Sequence, residues 1–331
     1  SQWPRQPLPW GCLRRPPGAS IWCVVAVTSD PVFPGIVPTM RESPSHARWL
    51  SLLVAPAVLT GLGAGRCGER LRDDTVAIPG GSFAMGSEDA DANENEKPVH
   101  EVTVGPFRLD RTEVTVADYE ACVRAGACSA PEAYRDDRGD FHSACNFRHP
   151  EARQDHPVNC VDFNQATTFC AWAGKRLPTE EEWEYAARGG AEGRKYPWGN
   201  QAPDPSRLNA CGTECPPNLI AKRFYAAAPM YRAADGWPET APVGRFPAGV
   251  SKHGALDLAG NVWEWTATAY ASYDGRTRED KRVLRGGSWG GGDPRTERTT
   301  NRFRLVPTAR AQFLGFRRHP AQRIVVESVA P

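Results

Sequence analysis

Residues 257–265, Asp-Leu-Ala-Gly-Asn-Val-Trp-Glu-Trp, place two carboxylates around a Gly-Asn turn and two tryptophans. Residues 285–289, Arg-Gly-Gly-Ser-Trp, again join a tight turn to a tryptophan. Large aromatic side chains beside turns favour a rigid, loop-rich domain over a helical bundle, because each ring anchors an irregular segment. Carboxylate, amide and backbone oxygens so close in sequence also suit a small, hard cation. The two segments therefore predict a turn-rich domain with a cation site in its wall.

The composition agrees with a packed domain of this kind. Of the 331 residues, 31 are glycine, 30 are proline and 11 are tryptophan, and 40% are hydrophobic, which is enough for a core. The formal net charge is +1. Nucleic-acid-binding proteins usually carry a basic stripe, so no nucleic-acid partner is expected. The length alone allows one large or two ordinary domains.

The beginning of the chain does not resemble a folded domain. Residues 1–39 are rich in proline and arginine and lack capping or periodic patterns, so we expect them to be disordered or to precede the native start, with Met40 as initiator. Residues 40–66 resemble an export signal, with basic residues first, an apolar run over 50–62 and Gly-Ala-Gly at 63–65. Arg66 stands before Cys67 where a lipoprotein signal needs a small residue, which argues against lipidation. An exported protein is therefore expected, whether periplasmic, extracellular or membrane-attached.

Ten cysteines are many for a protein of a reducing compartment. Three couples lie close in sequence, and we interpret them as local disulfides: Cys122 with Cys128, Cys145 with Cys160, and Cys211 with Cys215. The sequence does not fix this connectivity. Zinc is the alternative, because Cys211 and Cys215 have tolerable ligand spacing and Cys145 or His142 could join them. No second tight couple stands beside them, so disulfides are preferred.

Short strands and helices are predicted between 73 and 320, followed by a tail over 321–331. Residues 76–86 predict two strands around a Pro-Gly-Gly turn, and 100–104 and 107–110 predict two more. Three helices begin at the capping residues Thr115, Asp162 and Thr179 and end at Gly126, Gly174 and Gly189. Further short strands are expected near 283–285 and 314–317. The sum is an α+β domain with little regular structure.

A series of motifs follows in order along the chain. They are Ile-Pro-Gly-Gly-Ser-Phe-Ala-Met-Gly at 78–86, Glu-Val-Thr at 113–115, His-Pro-Val-Asn-Cys-Val at 156–161, the run 170–189, Tyr-Pro-Trp-Gly at 196–199, Gly-Asn-Val-Trp-Glu-Trp at 260–265, Arg-Gly-Gly-Ser-Trp at 285–289 and Gly-Phe-Arg at 315–317. In these motifs the chain resembles the formylglycine-generating enzyme, or sulfatase-modifying factor, family over nearly everything after Val76. The resemblance implies a C-type lectin-like fold, which agrees with the turn-rich α+β prediction.

The resemblance also implies structural calcium, which family members bind. One site would use side-chain oxygens of Asn209 and Asp235 and the carbonyls of Ala210 and Trp237. The other would use side chains of Asp257 and Glu264 and the carbonyls of Gly260 and Val262. The first is less secure, because the insertion around Cys211 and Cys215 departs from the family's spacing. The alternative for the second is that its carboxylates stabilise turns by bonding to backbone amides.

Family enzymes oxidise a substrate cysteine to formylglycine with oxygen and a copper ion held by two cysteines after the Gly-Gly-Ser-aromatic motif. The matching positions here are Gly291 and Thr296, and all cysteines of the chain lie at or before Cys215. Cu(I) requires soft thiolates, so neither bound copper nor a catalytic residue is expected. Cys170 matches a family position whose partner falls near Arg318 here, which implies a free, buried thiol.

These observations favour a calcium-stabilised, exported binding or accessory domain without oxidase activity. The groove would use Trp263, Ser288, Trp289 and Arg298 to bind a peptide, protein or glycan, in a monomer or weak dimer. Core packing is the competing interpretation of Trp263 and Trp265. Two enzymatic alternatives stay open. One is an iron-dependent or other oxidoreductase, although the 7 histidines are scattered and iron is not expected; the other is an oxidase with a displaced copper site.

Overall fold

The fold is described from a computed structural model over residues 11–13, 22–24, 71, 74–131, 144–215 and 228–320. The chain divides into two units, Ser1–Gly65 and Arg66–Pro331. In the first, strand β1 (Gly11–Leu13) pairs antiparallel with β2 (Trp22–Val24). These two short strands are the part of residues 1–39 that the structure describes, and the expectation that this stretch is disordered or precedes the native start stays a prediction. The predicted export signal over 40–66, Cys67 and the tail over 321–331 lie outside the described residues.

The second unit begins with two antiparallel strand pairs, at the positions the sequence predicts. Strand β3 (Thr75–Ile78) pairs with β6 (Phe107–Asp110), and β4 (Gly81–Met85) pairs with β5 (His100–Val104). The turn between β3 and β4 requires glycine at Gly80, where φ is 73°. A Cβ atom there would also meet the backbone of Gly105 and Pro106.

Three α-helices follow, each starting where a capping residue predicts. They are α1 (Val116–Arg124), α2 (Phe163–Trp172) and α3 (Glu180–Arg188). The side chains of Thr115, Asp162 and Thr179 accept a backbone N–H at the three starts. α3 ends at Gly189, whose left-handed φ of 71° stops the helix. The three glutamates in the first turn of α3 lie where the helix dipole favours negative charge.

A four-stranded sheet in the order β10-β9-β8-β11 positions the later motifs. Its strands are β8 (Trp263–Ala271), β9 (Arg278–Arg285), β10 (Phe303–Leu305) and β11 (Leu314–Gly315), with β11 parallel to β8 and the other pairs antiparallel. A second small pair joins β7 (Lys175–Arg176) to β12 (His319–Pro320). β9 extends well before the predicted 283–285, because the tight connection from β8 lets polar residues pair through the backbone. In that connection Ser272 N donates to Thr277 O at 2.9 Å.

Two clusters of buried side chains stabilise the second unit. One includes Tyr119, Phe169 and Trp265 and joins α1 and α2 to the sheet. The other surrounds Trp183 of α3 with side chains from β3 to β6. Short 3-10 turns at Glu94–Glu96, Asn146–Arg148, Pro150–Ala152, Gly190–Glu192 and Pro247–Gly249 interrupt long irregular stretches. This mixture of few helices and many short strands confirms the predicted α+β class.

The three predicted cysteine couples are disulfide-bonded. Disulfides join Cys122 to Cys128, Cys145 to Cys160 and Cys211 to Cys215. The zinc alternative for the last couple is therefore wrong, because oxidised sulfurs are not thiolate ligands. Cys170 is free and buried, and burial raises the pKa of its thiol far above the ordinary range. Within the described segments, no helix combines the length and apolar character that crossing a bilayer needs.

Candidate functional site

A cavity of about 710 Å³ opens beside Gly290 and Gly291. Its wall carries aromatic side chains of the sheet, Trp263 from β8 and Phe303 from β10 among them. These two rings lie 5.4 Å apart, and Phe303 is 39% exposed. The floor consists of small groups, which include the two glycines and the hydroxyl of Thr296. The cavity therefore sets an aromatic wall against a floor of glycine backbone and hydroxyl groups, a lining typical of ligand sites.

Two of the four predicted groove residues line this cavity. Trp263 is half-buried in its wall, and Ser288 lies in its floor. Trp289 is instead buried in the interior, where its indole N–H donates to a backbone carbonyl at 3.3 Å. Arg298 is buried beside a different cavity, of about 410 Å³, and donates to Glu96 at 2.8 Å. The structure thus brings Trp263 and Ser288 together but places Trp289 and Arg298 elsewhere. The core-packing interpretation is correct for Trp265, whose side chain is completely buried.

The charged side chains around the cavity already have partners. Arg302 donates to both carboxylate oxygens of Glu180, at 2.6 and 2.8 Å, and Arg304 donates to Glu279 at 2.7 Å. The side-chain oxygen of Asn95 differs, because it is buried without a hydrogen-bond partner. The lining therefore presents little unpaired charge, and the Asn95 oxygen lies behind its surface as a buried acceptor that lacks a partner.

Beneath the floor lies a buried carboxyl group that the sequence analysis missed. Glu297 is fully buried, and its Oε2 accepts from Gly260 N at 2.8 Å. Its Oε1 lies 3.1 Å from the hydroxyl oxygen of Thr296. Burial raises the pKa of Glu297 to about 8, so the neutral acid predominates at neutral pH. The glycines before it are the one sequence signal that could have revealed it, because Cβ atoms at Gly287 or Gly291 would lie less than 3.0 Å from this carboxyl group.

In the first predicted calcium group, Asp235 contacts the backbone of two other members, Ala210 and Trp237. Its carboxylate accepts from Ala210 N at 3.1 Å, from Trp237 N at 2.8 Å and from the Tyr231 hydroxyl at 2.6 Å. The side-chain oxygen of Asn209 is buried without a hydrogen-bond partner, which suits an atom that binds a cation. Burial raises the pKa of Asp235 to about 7. The oxygen donors therefore fit calcium, although the Tyr231 hydroxyl contacts two of the predicted ligands, Asp235 and the Ala210 carbonyl at 3.3 Å.

In the second predicted calcium group, Glu264 already has a different partner. Arg317 donates to both of its carboxylate oxygens at 2.6 Å. Asp257 accepts from Gly244 N at 2.6 Å, which is the turn-stabilising contact that the alternative interpretation describes. The Glu264 side chain therefore does not fit as a calcium ligand in this arrangement. The oxygens left for a cation are the Asp257 carboxylate and the carbonyls of Gly260 and Val262.

The described histidines do not converge on a metal site. His156 is buried, with Nδ1 3.0 Å from the Thr240 hydroxyl, and burial lowers its pKa to about 4. His319 stacks on Phe107 with ring centres 5.2 Å apart. His142, considered above as a zinc ligand, lies outside the described residues. In the part of the chain that the structure describes, no group of three or more His, Cys, Asp or Glu side chains is arranged to hold a metal ion.

The fold, the cavity and the motifs around it define a domain related to formylglycine-generating enzymes. Residues 65–319 match the family model of the sulfatase-modifying factor enzyme 1-like domain. The chain therefore belongs to the sulfatase-modifying factor family, as its motifs predicted. It is similar in fold to PvdO from Pseudomonas aeruginosa, with a TM-score of 0.57 and 30% identity over 74% of this chain and 93% of that one.

Relatives with different activities are equally similar in sequence. The chain is 35% identical to the inactive C-alpha-formylglycine-generating enzyme 2 of Bos taurus, over 73% of this chain and 86% of the relative. It is 36% identical to the formylglycine-generating enzyme of Streptomyces coelicolor, over 73% of this chain and 87% of that protein. Identity therefore does not decide activity, and the chemistry of the site must decide it.

Proposed function

We propose that this protein is an exported binding or accessory domain of its family, without cysteine-to-formylglycine oxidase activity. The observation that supports this proposal most strongly is that the expected copper-ligand positions at the cavity floor carry no thiol. Gly291 and Thr296 stand where the resemblance requires two copper ligands, and neither supplies a thiolate. Among the cysteines in the described residues from 74 to 320, all but Cys170 are in disulfides, and Cys170 is buried in the core around Phe169. Cys170 does not line the cavity.

The ligand we propose is a peptide segment of a partner protein. Aromatic rings supply large apolar contacts at little cost in side-chain entropy, and Trp263 and Phe303 present two such rings. Ser288 and the backbone of Gly290 and Gly291 line the cavity and carry hydrogen-bonding groups that could pair with a peptide backbone. Because the charged groups of the lining already have partners, recognition rests on these apolar and hydrogen-bonding contacts. A glycan is the alternative ligand, and a direct comparison separates the two.

Calcium is the structural ion we propose, held through Asn209 and Asp235. Support comes from the unpartnered, buried oxygen of Asn209 and from oxygen donors on Asp235 and the Ala210 and Trp237 carbonyls. The second group, with Asp257 and the carbonyls of Gly260 and Val262, is proposed without the Glu264 side chain. Such an ion would tie the irregular segments around the cavity together and take no part in ligand chemistry.

Export is supported by the cysteine chemistry. Disulfides persist in oxidising compartments and are rare in reducing ones. The described segments hold Cys122–Cys128, Cys145–Cys160 and Cys211–Cys215 as disulfides. This agrees with the signal-like composition predicted over residues 40–66.

Binding and oxidase activity are tested together with one set of peptides. A peptide containing Cys-x-Pro-x-Arg, the same peptide with serine for cysteine, and a neutral oligosaccharide are titrated against the full chain by calorimetry. Each peptide is also incubated with protein and oxygen and analysed by mass spectrometry. Saturable binding of a peptide without aldehyde product is expected. Aldehyde product above the buffer control would overturn the proposal, and binding of the oligosaccharide alone would replace the peptide by a glycan.

Matched variants connect binding to the cavity. Phe303→Ala removes one exposed ring of the wall and should weaken peptide binding roughly tenfold or more. Val250→Ala removes a side chain with similar exposure, 38% against 39%, that does not line the cavity, and should leave binding unchanged. Equal effects of the two variants would show that the cavity is not the binding site.

A further inference from the structure

A third side chain lies at the two positions where the resemblance implies copper ligands. Here the carboxyl group of Glu297 fills the space between the two positions. Its Oε1 would lie less than 3.0 Å from a Cβ atom at Gly291 and lies 3.1 Å from the hydroxyl oxygen of Thr296.

Contacts from two directions hold this carboxyl group in place. Gly260 N donates to Oε2 at 2.8 Å, and the Thr296 hydroxyl contacts Oε1 at 3.1 Å. The side chain is fully buried, so solvent does not compete for these contacts. The group is therefore fixed directly beneath the cavity floor.

The same carboxyl group explains Gly287 and the floor residue Gly291. Gly287 has a φ of 73°, and a Cβ atom there would lie less than 3.0 Å from Oε1, Oε2 and Cδ of Glu297. Gly291 has no positive φ, so its backbone conformation alone does not require glycine. Steric crowding favours glycine at 291 instead, because a Cβ atom there would lie closest to Glu297 Oε1 and the Ser288 carbonyl oxygen.

We propose that Glu297 occupies the position of the family's copper centre and keeps it closed, so that cysteines at 291 and 296 alone cannot restore copper binding. A thiolate at 291 would collide with the carboxyl group, and an ion placed between the two sulfurs would meet a hard oxygen instead of open space. The residues present therefore do not fit copper. A chain that lacked only the two thiols would also be inactive. The closed copper position is therefore a separate property from the absence of oxidase activity.

A double-mutant cycle tests the steric part without any metal. Gly291→Ala should lower the Tm of the wild type by roughly 5 °C, because the new methyl group overpacks the floor. In a Glu297→Ala background the same change should cost little. Glu297→Gln is the matched control, since it keeps the volume, and Gly291→Ala should cost as much there as in the wild type. An equal Tm loss in the wild-type and Glu297→Ala backgrounds would overturn the proposal.

Copper binding tests the chemical part. Cu(I) is titrated anaerobically against a chromophoric chelator with the wild type, Gly291→Cys/Thr296→Cys, and the same pair combined with Glu297→Ala. The wild type corrects for cysteines already in the chain. Retention of a further copper ion by the triple variant, and not by the double variant, is expected. Copper retention by the double variant at an unchanged Tm would refute the proposal, while leaving the proposed binding function of the native chain untouched.

Discussion

The guanidinium of Arg317 donates to both carboxylate oxygens of Glu264 at 2.6 Å, and both side chains are completely buried. Trp183 donates its indole N–H to the same carboxylate at 2.9 Å. The contact joins the Gly-Phe-Arg motif to the Trp-Glu-Trp motif, which lie on the neighbouring parallel strands β11 and β8 or directly after them. A buried bidentate pair of this kind fixes the register of the two motifs that border the cavity wall.

Breaking this pair from one side should destabilise the domain strongly. Arg317→Ala leaves the Glu264 carboxylate buried without its cation, and we expect a loss of about 3–5 kcal/mol in the free energy of unfolding. Replacing both partners by apolar residues, Arg317→Met with Glu264→Leu, should cost less than the single change. Urea unfolding measures both. Arg295→Ala, which breaks a solvent-exposed pair with Asp293, is the control and should leave the midpoint unchanged. A midpoint of Arg317→Ala equal to that of the wild type would contradict the prediction.

The buried acid Glu297 should make the domain less stable as the pH rises. Its pKa is raised from 4.5 to about 8 by burial, so the folded state binds a proton that the unfolded state has lost between these values. Stability attributable to this group is therefore highest below pH 4.5 and falls by about 1.4 kcal/mol per pH unit up to about pH 8. Glu297→Gln keeps the neutral form at all pH values and should remove this slope.

The pH experiment compares urea midpoints of wild type and Glu297→Gln at several pH values from about 5 to about 8. Glu113, Asp257 and Asp235 also have raised pKa values, so they contribute a slope of the same sign in both proteins. Only the difference between the two proteins reports on Glu297. Parallel profiles would show that the buried carboxyl group does not titrate in this range.

The disulfide that closes the longer loop should stabilise the fold more, because loop-closure entropy grows with the logarithm of loop length. Cys145 and Cys160 are 15 residues apart, and Cys122 and Cys128 are 6 apart. Loop-closure entropy then assigns about 3 kcal/mol to the first and about 2 kcal/mol to the second. Alanine at both positions of each couple, measured by urea unfolding without reductant, should reproduce this order. The reverse order would indicate that contacts in the folded state outweigh the entropy of the unfolded chain.

Features carried by local sequence were predictable, and features that depend on long-range packing were not. Capping residues such as Thr179 and the glycine at 189 fix helix α3 locally, so its bounds follow from the sequence. Of the two groove tryptophans, Trp263 lines the cavity and Trp289 is buried in the interior. Sequence alone does not separate them, because only the packed sheet decides which side chain faces the cavity. The sequence does not predict the burial of Glu297, because an acidic residue between Thr296 and Arg298 suggests a surface position. Its buried carboxyl group accepts a hydrogen bond from Gly260 N, 37 residues away.

Calcium should stabilise the folded chain, and this effect should weaken as the pH falls. If calcium binds only the folded state, a hundredfold excess over its Kd adds about 2.7 kcal/mol. Burial raises the pKa of Asp235 to about 7, so protons compete with the ion below that pH. Calorimetric scans with calcium and with chelator, near pH 8 and near pH 6, should therefore show the larger Tm difference at the higher pH. Asn209→Ala removes the unpartnered buried oxygen and should reduce the difference, whereas Asn200→Ala, an exposed asparagine, should not. A Tm that does not respond to chelator at either pH would exclude calcium from this site.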